Sequence, residues 1–106
     1  MTTRDYTTFV APLAHPGEIL REDYLPAVNL SAGGLARAMG LKDRSRIEQL
    51  VREQRAVTAD TALRLAKVFG TSPEFWMNLQ AQHDLSRDAI ANREALDQIQ
   101  PLQAAG

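Results

Sequence analysis

Hydrophobic and polar positions follow helical spacing along most of this chain, from about residue 16 to residue 99. Apolar side chains recur three and four positions apart, and no stretch alternates apolar with polar residues as a half-buried strand does. Capping residues and glycines divide the pattern into five segments. The pattern therefore predicts an all-α protein with five helices, the last of which is extended.

The first two predicted helices are bounded by proline, serine and glycine. The first begins near Pro16, and we expect Pro26 to end it, because proline lacks the N–H that a helix interior needs. The second starts at Ser31, whose hydroxyl can cap a helix, and stops at Gly40. Its predicted inward face consists of Leu35, Ala36 and Met39.

The third predicted helix takes Asp43 as its N-cap, and the fourth lies between Thr58 and Gly70. Arg44, Ser45 and Arg46 fill the first turn of the third helix, and its buried stripe consists of Ile47, Leu50 and Val51. The inward positions of the fourth helix are predicted to be Ala62, Leu63, Leu65, Ala66 and Phe69.

The fifth predicted helix has Ser72 as its cap and Pro73 at its first position, and helical character lasts to about Ile99. An apolar cluster near its start is expected to be core, although such a cluster can also line a ligand pocket. Its members are Phe75, Trp76 and Leu79.

Charge is distributed unevenly along the 106 residues, whose formal net charge is only −1. The segment from Arg37 to Lys67 carries eight basic and four acidic side chains, a net +4, and the remainder carries a net −5. A basic centre between acidic ends is typical of a protein that binds a polyanion. The same pattern also describes a helix face that is simply solvated.

Several classes of function have no support in the sequence. The chain has no cysteine, and its two histidines lie far apart without carboxylates at ligand spacing, so we expect no metal site. We find no activated nucleophile and no glycine-rich phosphate loop, and we therefore expect neither an enzyme nor a cofactor. The start of the chain lacks an apolar signal core, and no apolar run could span a bilayer. We expect a cytoplasmic protein without a membrane partner.

The second and third predicted helices form the unit on which function depends. They are joined by the short turn Gly40-Leu41-Lys42, and Ala36 is small enough to let two helices cross closely. These features predict a helix-turn-helix motif. The N-terminal part of its second helix enters the DNA major groove, so cations there fit a weakly acidic protein that binds DNA.

Individual side chains of this unit have predicted roles. Arg44, Ser45 and Gln49 are expected to reach base edges, and Arg46, Arg52 and Arg55 to bind phosphates. The start of the second helix at Ser31 can bind a further phosphate. Glu48 opposes this interpretation unless it meets a cytosine amino group or pairs with a neighbouring arginine. Each of these side chains alternatively belongs to an ordinary solvated surface.

Three stretches, "HPGEILREDYL", "LARAMGL" and "RAVTADTALRLAKVFGTSPEFWMNLQAQHDL", resemble HigA-type antitoxins, a branch of the Xre-like helix-turn-helix proteins. The resemblance implies a five-helix lambda-repressor-like domain with an extended C-terminal helix. It also implies a homodimer that represses its own operon by binding operator DNA and neutralises a HigB-type toxin, an mRNA-cleaving ribonuclease. We divide the chain into a flexible arm (1–14), the helix-turn-helix domain (15–84) and a C-terminal helical extension (85–106).

The chain departs from the usual family pattern at three places. The turn before the third helix is one residue longer, Glu53 occupies a place often held by glycine, and Ala32-Gly33-Gly34 replaces a common polar start of the second helix. These departures predict weaker or differently aimed DNA binding than in the family at large.

The sequence also indicates candidate partner surfaces. A heptad-like seam either joins two protomers or packs on the chain's own core; it consists of Leu85, Ala89, Asn92, Leu96 and Ile99. The N-terminal arm and the acidic first helix are candidates for contact with the toxin. Two other functions remain open, namely a solitary transcription regulator and a helical adaptor that has lost DNA binding.

Overall fold

The computed structural model describes residues 4–103, and no β-strand occurs among them. The α-helices are α1 (Pro16–Ile19), α2 (Leu25–Val28), α3 (Ala32–Ala38), α4 (Ser45–Val51), α5 (Ala59–Phe69), α6 (Pro73–Ala91) and α7 (Arg93–Asp97). The all-α prediction is confirmed. The first three residues of the predicted arm and the last three of the C-terminal extension lie outside the described residues. Within residues 4–103, no helix combines the length and hydrophobicity needed to cross a membrane.

The first predicted helix is longer than its proline suggested. A π-helical turn, Leu20–Tyr24, joins α1 to α2 without interruption, and Pro26 lies inside α2. The prediction that Pro26 ends the helix is therefore wrong. The N–H of Leu25 donates to the carbonyl of Leu20, five residues back. This wider turn displaces the carbonyls that a regular helix would press against the proline ring. The helix ends instead at Asn29, which adopts a left-handed conformation.

The predicted starts of the other helices are largely confirmed. The hydroxyl of Ser31 accepts the N–H of Gly34 at 3.0 Å, and Thr58 and Ser72 cap α5 and α6 in the same way. The predicted start of α4 is wrong by one residue, because Arg44 and not Asp43 occupies the N-cap position. Asp43 still contributes, since its Oδ1 accepts the N–H of Ser45 at 2.8 Å.

One hydrophobic core joins the helices. Its fully buried side chains include Leu20, Leu35, Ile47, Leu50, Leu65 and Trp76. Trp76 is core, as predicted, and its indole N–H donates to Thr71 Oγ1 at 2.8 Å. Leu63 was predicted to face inward and is instead 56% exposed. It lies one position off the stripe that α5 buries, and a step of one residue turns a side chain about 100° around a helix.

Residues 4–14 run along the C-terminal helices without forming a helix or strand of their own. The N–H of Leu13 donates to Ser86 Oγ at 2.8 Å, and Arg93 donates to the carbonyl of Phe9. The predicted long last helix is interrupted at Asn92, whose side-chain amide donates to the carbonyl of Asp88 at 3.0 Å. Helical structure resumes in α7 and ends at Asp97.

Candidate nucleic-acid interface

The helices α3 and α4 form the predicted helix-turn-helix. Gly40 ends α3 with a φ of 76°, a conformation that glycine adopts at little cost. The N–H of Leu41 then donates to the carbonyl of Ala36 at 2.9 Å, which closes the turn. Ala36 itself is buried, so the two helices cross closely as its small side chain predicted.

The back of α4 is held by the first helix of the chain. Ile47 and Leu50 are buried in the core. A Cβ atom placed on Gly17 would lie only 1.8 Å from the carbonyl oxygen of Leu50, so α1 approaches α4 at a distance that glycine alone permits. Arg21 donates to the carbonyl of Val51 and also contacts the Glu53 carboxylate at 3.4 Å.

Sequence analysis missed Gly17 and Arg21 as residues that position α4. Both lie in the "HPGEILREDYL" stretch, which pointed to the family without indicating what its members contact. The same contacts account for Glu53, which has a φ of 62° at a place where glycine is common. A residue with a side chain adopts this left-handed backbone only at a cost in free energy. At Glu53 the ion pair of its carboxylate with Arg21 opposes that cost.

The front of α4 carries three of the seven predicted DNA-binding residues, Arg44, Ser45 and Gln49. The Arg44 side chain is 73% exposed and pairs with Glu48 at 2.9 Å, so the arginine pairing foreseen for Glu48 is present. Ser45 and Gln49 are partly exposed on α4, one turn apart. Arg52 and Arg55 follow α4 and are exposed.

Besides Arg44, two further predicted residues already make contacts within the chain. Arg46 donates to Asp60 of α5 at 2.6 Å, and its side chain is only 32% exposed. The Ser31 hydroxyl accepts from Gly34, although the residue itself is exposed. The structure therefore brings Arg44, Ser45 and Gln49 to one open surface and directs Arg46 towards α5.

An open cleft of ≈ 490 Å³ separates the start of α3 from α4. Its lining includes Gly33, whose missing side chain keeps the cleft wide next to Arg44. Arg37 and Arg52 also line it, so three cations and the Glu48 carboxylate surround the cleft. Sequence analysis counted Arg37 in the basic centre but did not assign it to the interface; the signal was its position in the last turn of α3.

Electrostatics at the turn keep one carboxylate ionised beside these cations. The backbone N–H and the hydroxyl of Ser45 bond to Asp43 and hold the pKa of its carboxyl below its usual range. Arg44 and Arg55 lower that pKa further. Within residues 4–103, no group of three or more histidine and acidic side chains could hold a metal ion.

The two histidines, far apart in sequence, lie together behind the interface. Their rings are in edge contact with centroids 4.9 Å apart. His15 is buried, and its Nδ1 accepts the N–H of Gly17 at 2.9 Å. Burial, and next the neighbouring His83, lower the pKa of His15. The His15 ring therefore holds the start of α1, the helix that contacts α4.

Comparison with known proteins places these features in a family. A helix-turn-helix family profile matches residues 20–76. Virulence-associated protein I of Dichelobacter nodosus is 48% identical over 91 residues, which are 86% of this chain and 82% of that protein. Antitoxin HigA-1 of Vibrio cholerae is 33% identical over 86 residues, which are 81% of this chain and 80% of that protein.

Solved structures show the same likeness. Antitoxin HigA of Pseudomonas aeruginosa, determined with the higBA promoter, superposes with a TM-score of 0.80 at 41% identity and covers 86% of this chain and 99% of that one. Antitoxin GraA in complex with its operator has a TM-score of 0.79 at 39% identity and covers 97% of this chain and 100% of that one. The chain therefore belongs to the Xre-like helix-turn-helix family, in its branch of HigA-type antitoxins.

Proposed function

We propose that this protein binds operator DNA through α4 and represses its own operon. The observation that carries the proposal is the exposed Arg44 at the leading end of α4, beside Ser45 and Gln49, on a helix whose opposite side is buried. A recognition helix needs this division between an anchored back and an open front. The solved HigA–promoter and GraA–operator complexes support the proposal.

The exposed side chains have distinct proposed roles. Arg44 can bind a guanine through two hydrogen bonds, and Gln49 can bind an adenine in the same manner. Ser45 lies between the two and reaches the same base edges. Phosphates are bound by Arg37, Arg52, Arg55 and the start of α3 at Ser31. These contacts supply affinity and fix the position of the protein on DNA, but they do not read the base sequence. Glu48 holds Arg44 in place through their ion pair.

Repression by this surface requires two copies of the protein, because one seven-residue helix reads few bases. A twofold dimer presents two such helices one DNA turn apart, roughly 34–36 Å. The C-terminal seam supports this part of the proposal, since it leaves large apolar side chains open: Leu85 is 53%, Leu96 49% and Ile99 67% exposed. Asn92 ends α6, and Ile99 lies beyond the end of α7 at Asp97, so the seam spans two helices and the segment that follows them.

We further propose that the protein is the antitoxin of a type II toxin–antitoxin pair and neutralises a HigB-type, mRNA-cleaving toxin. The name of the Vibrio cholerae relative supports this assignment. A ribonuclease that binds RNA presents positive charge, and the first helix offers it exposed carboxylates at Glu22 and Asp23.

The DNA-binding proposal is tested by titrating a duplex from the protein's own promoter and a scrambled duplex. Arg44→Ala should weaken promoter binding about 5- to 150-fold, which corresponds to the ~1–3 kcal/mol of a two-bonded base contact. Binding to the scrambled duplex should weaken much less. Arg87→Ala is the matched control, because it removes the same charge from α6. If Arg44→Ala retains full promoter preference, the proposed base contact is wrong.

The antitoxin proposal is tested by co-expression with the toxin-like gene beside this one. Growth should be restored by the wild-type protein and also by Arg44→Ala, because neutralisation and DNA recognition use different surfaces. Glu22→Lys with Asp23→Lys should lose neutralisation while promoter binding remains. An absence of any neighbouring toxin-like gene would favour the solitary regulator instead.

A further inference from the structure

Asp60 links α5 to α4 directly and to the end of α3 through Arg64. Its Oδ2 accepts from Arg46 of α4 at 2.6 Å and from Arg64 of α5 at 3.0 Å. The guanidinium of Arg64 also donates to the carbonyl of Met39, at the end of α3, at 2.8 Å. Hydrogen bonds from Arg46, and next from Arg64, hold the pKa of Asp60 below its usual range.

Arg46 differs from its neighbour Arg44 in what its guanidinium contacts. Arg44 is 73% exposed, whereas Arg46 is 32% exposed and also lies 3.5 Å from the Thr61 hydroxyl. It lines an open cleft of ≈ 330 Å³ between α4 and the start of α5, together with Arg55 and Asp60. A guanidinium in this position must give up a charge-assisted hydrogen bond before it can bind a phosphate.

We propose that Asp60 limits the affinity of the protein for DNA, because it pairs with Arg46 and so withholds one cation of α4 from DNA phosphates. The inference rests on the proposed DNA binding of α4. Phosphate contacts raise affinity for every DNA sequence alike, so a withheld cation lowers non-specific binding without loss of a base contact. Binding to every duplex is therefore weaker and less dependent on salt, while the ratio of promoter to random-duplex affinity stays the same.

A purely structural role for Asp60 makes a different prediction. If the carboxylate only ties α4 to α5, its loss loosens α4 and weakens binding to the promoter. Its loss then adds no phosphate contact, and the dependence of binding on salt stays the same. The slope of log K against log salt therefore separates the two roles, because that slope counts neutralised phosphates.

The test uses Asp60→Asn in the full chain, a promoter duplex and a random duplex, between 50 and 200 mM salt. Asparagine keeps the size of the side chain and removes its charge. We expect the affinity for both duplexes to rise about fivefold and the salt slope of each to steepen by about 0.9, the value for one added phosphate contact. Glu74→Gln is the matched control, since it makes the same charge change near the start of α6 and should leave the slope unchanged.

Arg46→Ala completes the design. As a single variant, Arg46→Ala should leave binding to the random duplex nearly unchanged. In the double variant with Asp60→Asn, Arg46→Ala should abolish the rise in DNA affinity that Asp60→Asn causes alone. The proposal is overturned if Asp60→Asn leaves the random-duplex slope unchanged, or if the gain persists without Arg46. Should Asp60→Asn fail to fold, a slope reduced by about 0.9 in Arg46→Ala alone overturns it as well. A wild-type protein without promoter preference would instead contradict the proposed function.

Discussion

The two ends of α4 are built in opposite ways. At the C-terminal end, Gly17 lets the backbone of α1 approach Leu50, and Arg21 donates to the carbonyl of Val51. At the N-terminal end, Arg44 and Lys42 extend into solvent beside an open turn. The contacts at the C-terminal end come from the first helix of the chain and reach backbone atoms of α4. Those at the N-terminal end are local to the turn, apart from the pair of Arg46 with Asp60 of α5.

This difference shows how a short helix can be rigid and still present its polar side chains. A helix of seven residues is too short to be stable alone, so its position depends on tertiary packing. Here the packing lies at one end and along one side. The other end is free to meet a ligand, and changes at the two ends should have separable effects on stability and on binding.

The largest expected effect on stability comes from a methyl group added at Gly17, where α1 packs against the C-terminal end of α4. Gly17→Ala places a Cβ 1.8 Å from the Leu50 carbonyl oxygen, so the backbones of α1 and α4 must separate. We expect the free energy of unfolding to fall by about 3 kcal/mol, at the upper end of overpacking costs. Urea denaturation measures this change.

The matched control for this variant lies at the open side of the motif. Gly33→Ala brings its Cβ to an ordinary 3.5 Å from the Arg44 side chain. Alanine is more favourable than glycine inside a helix. The free energy of unfolding of Gly33→Ala should therefore rise by about 0.5–1 kcal/mol. Equal stabilities for the two alanine variants would contradict the asymmetry between the ends of α4.

A smaller effect is expected at Glu53, where the chain leaves α4. Glu53→Gly and Glu53→Ala both lose the pair with Arg21, but only alanine retains the cost of a left-handed backbone. Glu53→Gly should therefore be more stable than Glu53→Ala by about 1 kcal/mol. Thermal unfolding of both variants checks the difference, and a more stable Glu53→Ala would show that the φ of 62° is not adopted.

The smallest effect concerns His15, whose Nδ1 holds the N–H of Gly17. Burial and His83 lower its pKa in the folded protein, with Glu53 and Asp84 acting in the opposite direction and Arg87 in the same one. As pH falls below about 6.5, the unfolded chain binds the proton first. The free energy of unfolding therefore declines as pH falls from about 6.5 to the lower pKa that His15 has in the folded protein. The contribution of His15 to stability is fully present only above about pH 6.5.

Substitution of His15 isolates this contribution. Asparagine can accept the Gly17 N–H as a helix cap and does not titrate in this range. His15→Asn should unfold with a shallower dependence on pH between 7.5 and 5 than the wild-type protein, when both are measured in urea. The same pH dependence in both proteins would remove His15 from this account.

Local signals predicted most of the helical framework. Ser31, Thr58, Ser72 and the left-handed glycines Gly40 and Gly70 act on backbone groups a few residues away, so their effect could be predicted without the fold. The buried stripe of α4 was predicted for a similar reason, since its spacing is a property of the helix itself. The prediction for Leu63 was wrong because the stripe of α5 is narrower than its apolar positions suggested.

The error at Pro26 has the opposite origin. The ring's clash with a regular helix is local, but its relief depends on the π-helical turn, which also places Arg21 against α4. A rule about proline that considers only neighbouring residues could not foresee that arrangement.

The sequence by itself determined the class of this protein, its helix-turn-helix and the exposed cations at the start of α4, because caps, turns and periodicity act over a few residues. Only the tertiary structure decided which of those cations are free. Arg46 meets Asp60 fourteen positions later, Arg21 meets Glu53 thirty-two positions later, and the two histidines meet across most of the chain. Such pairs depend on how helices pack, and a charged side chain gives no local sign of the partner that packing will bring to it.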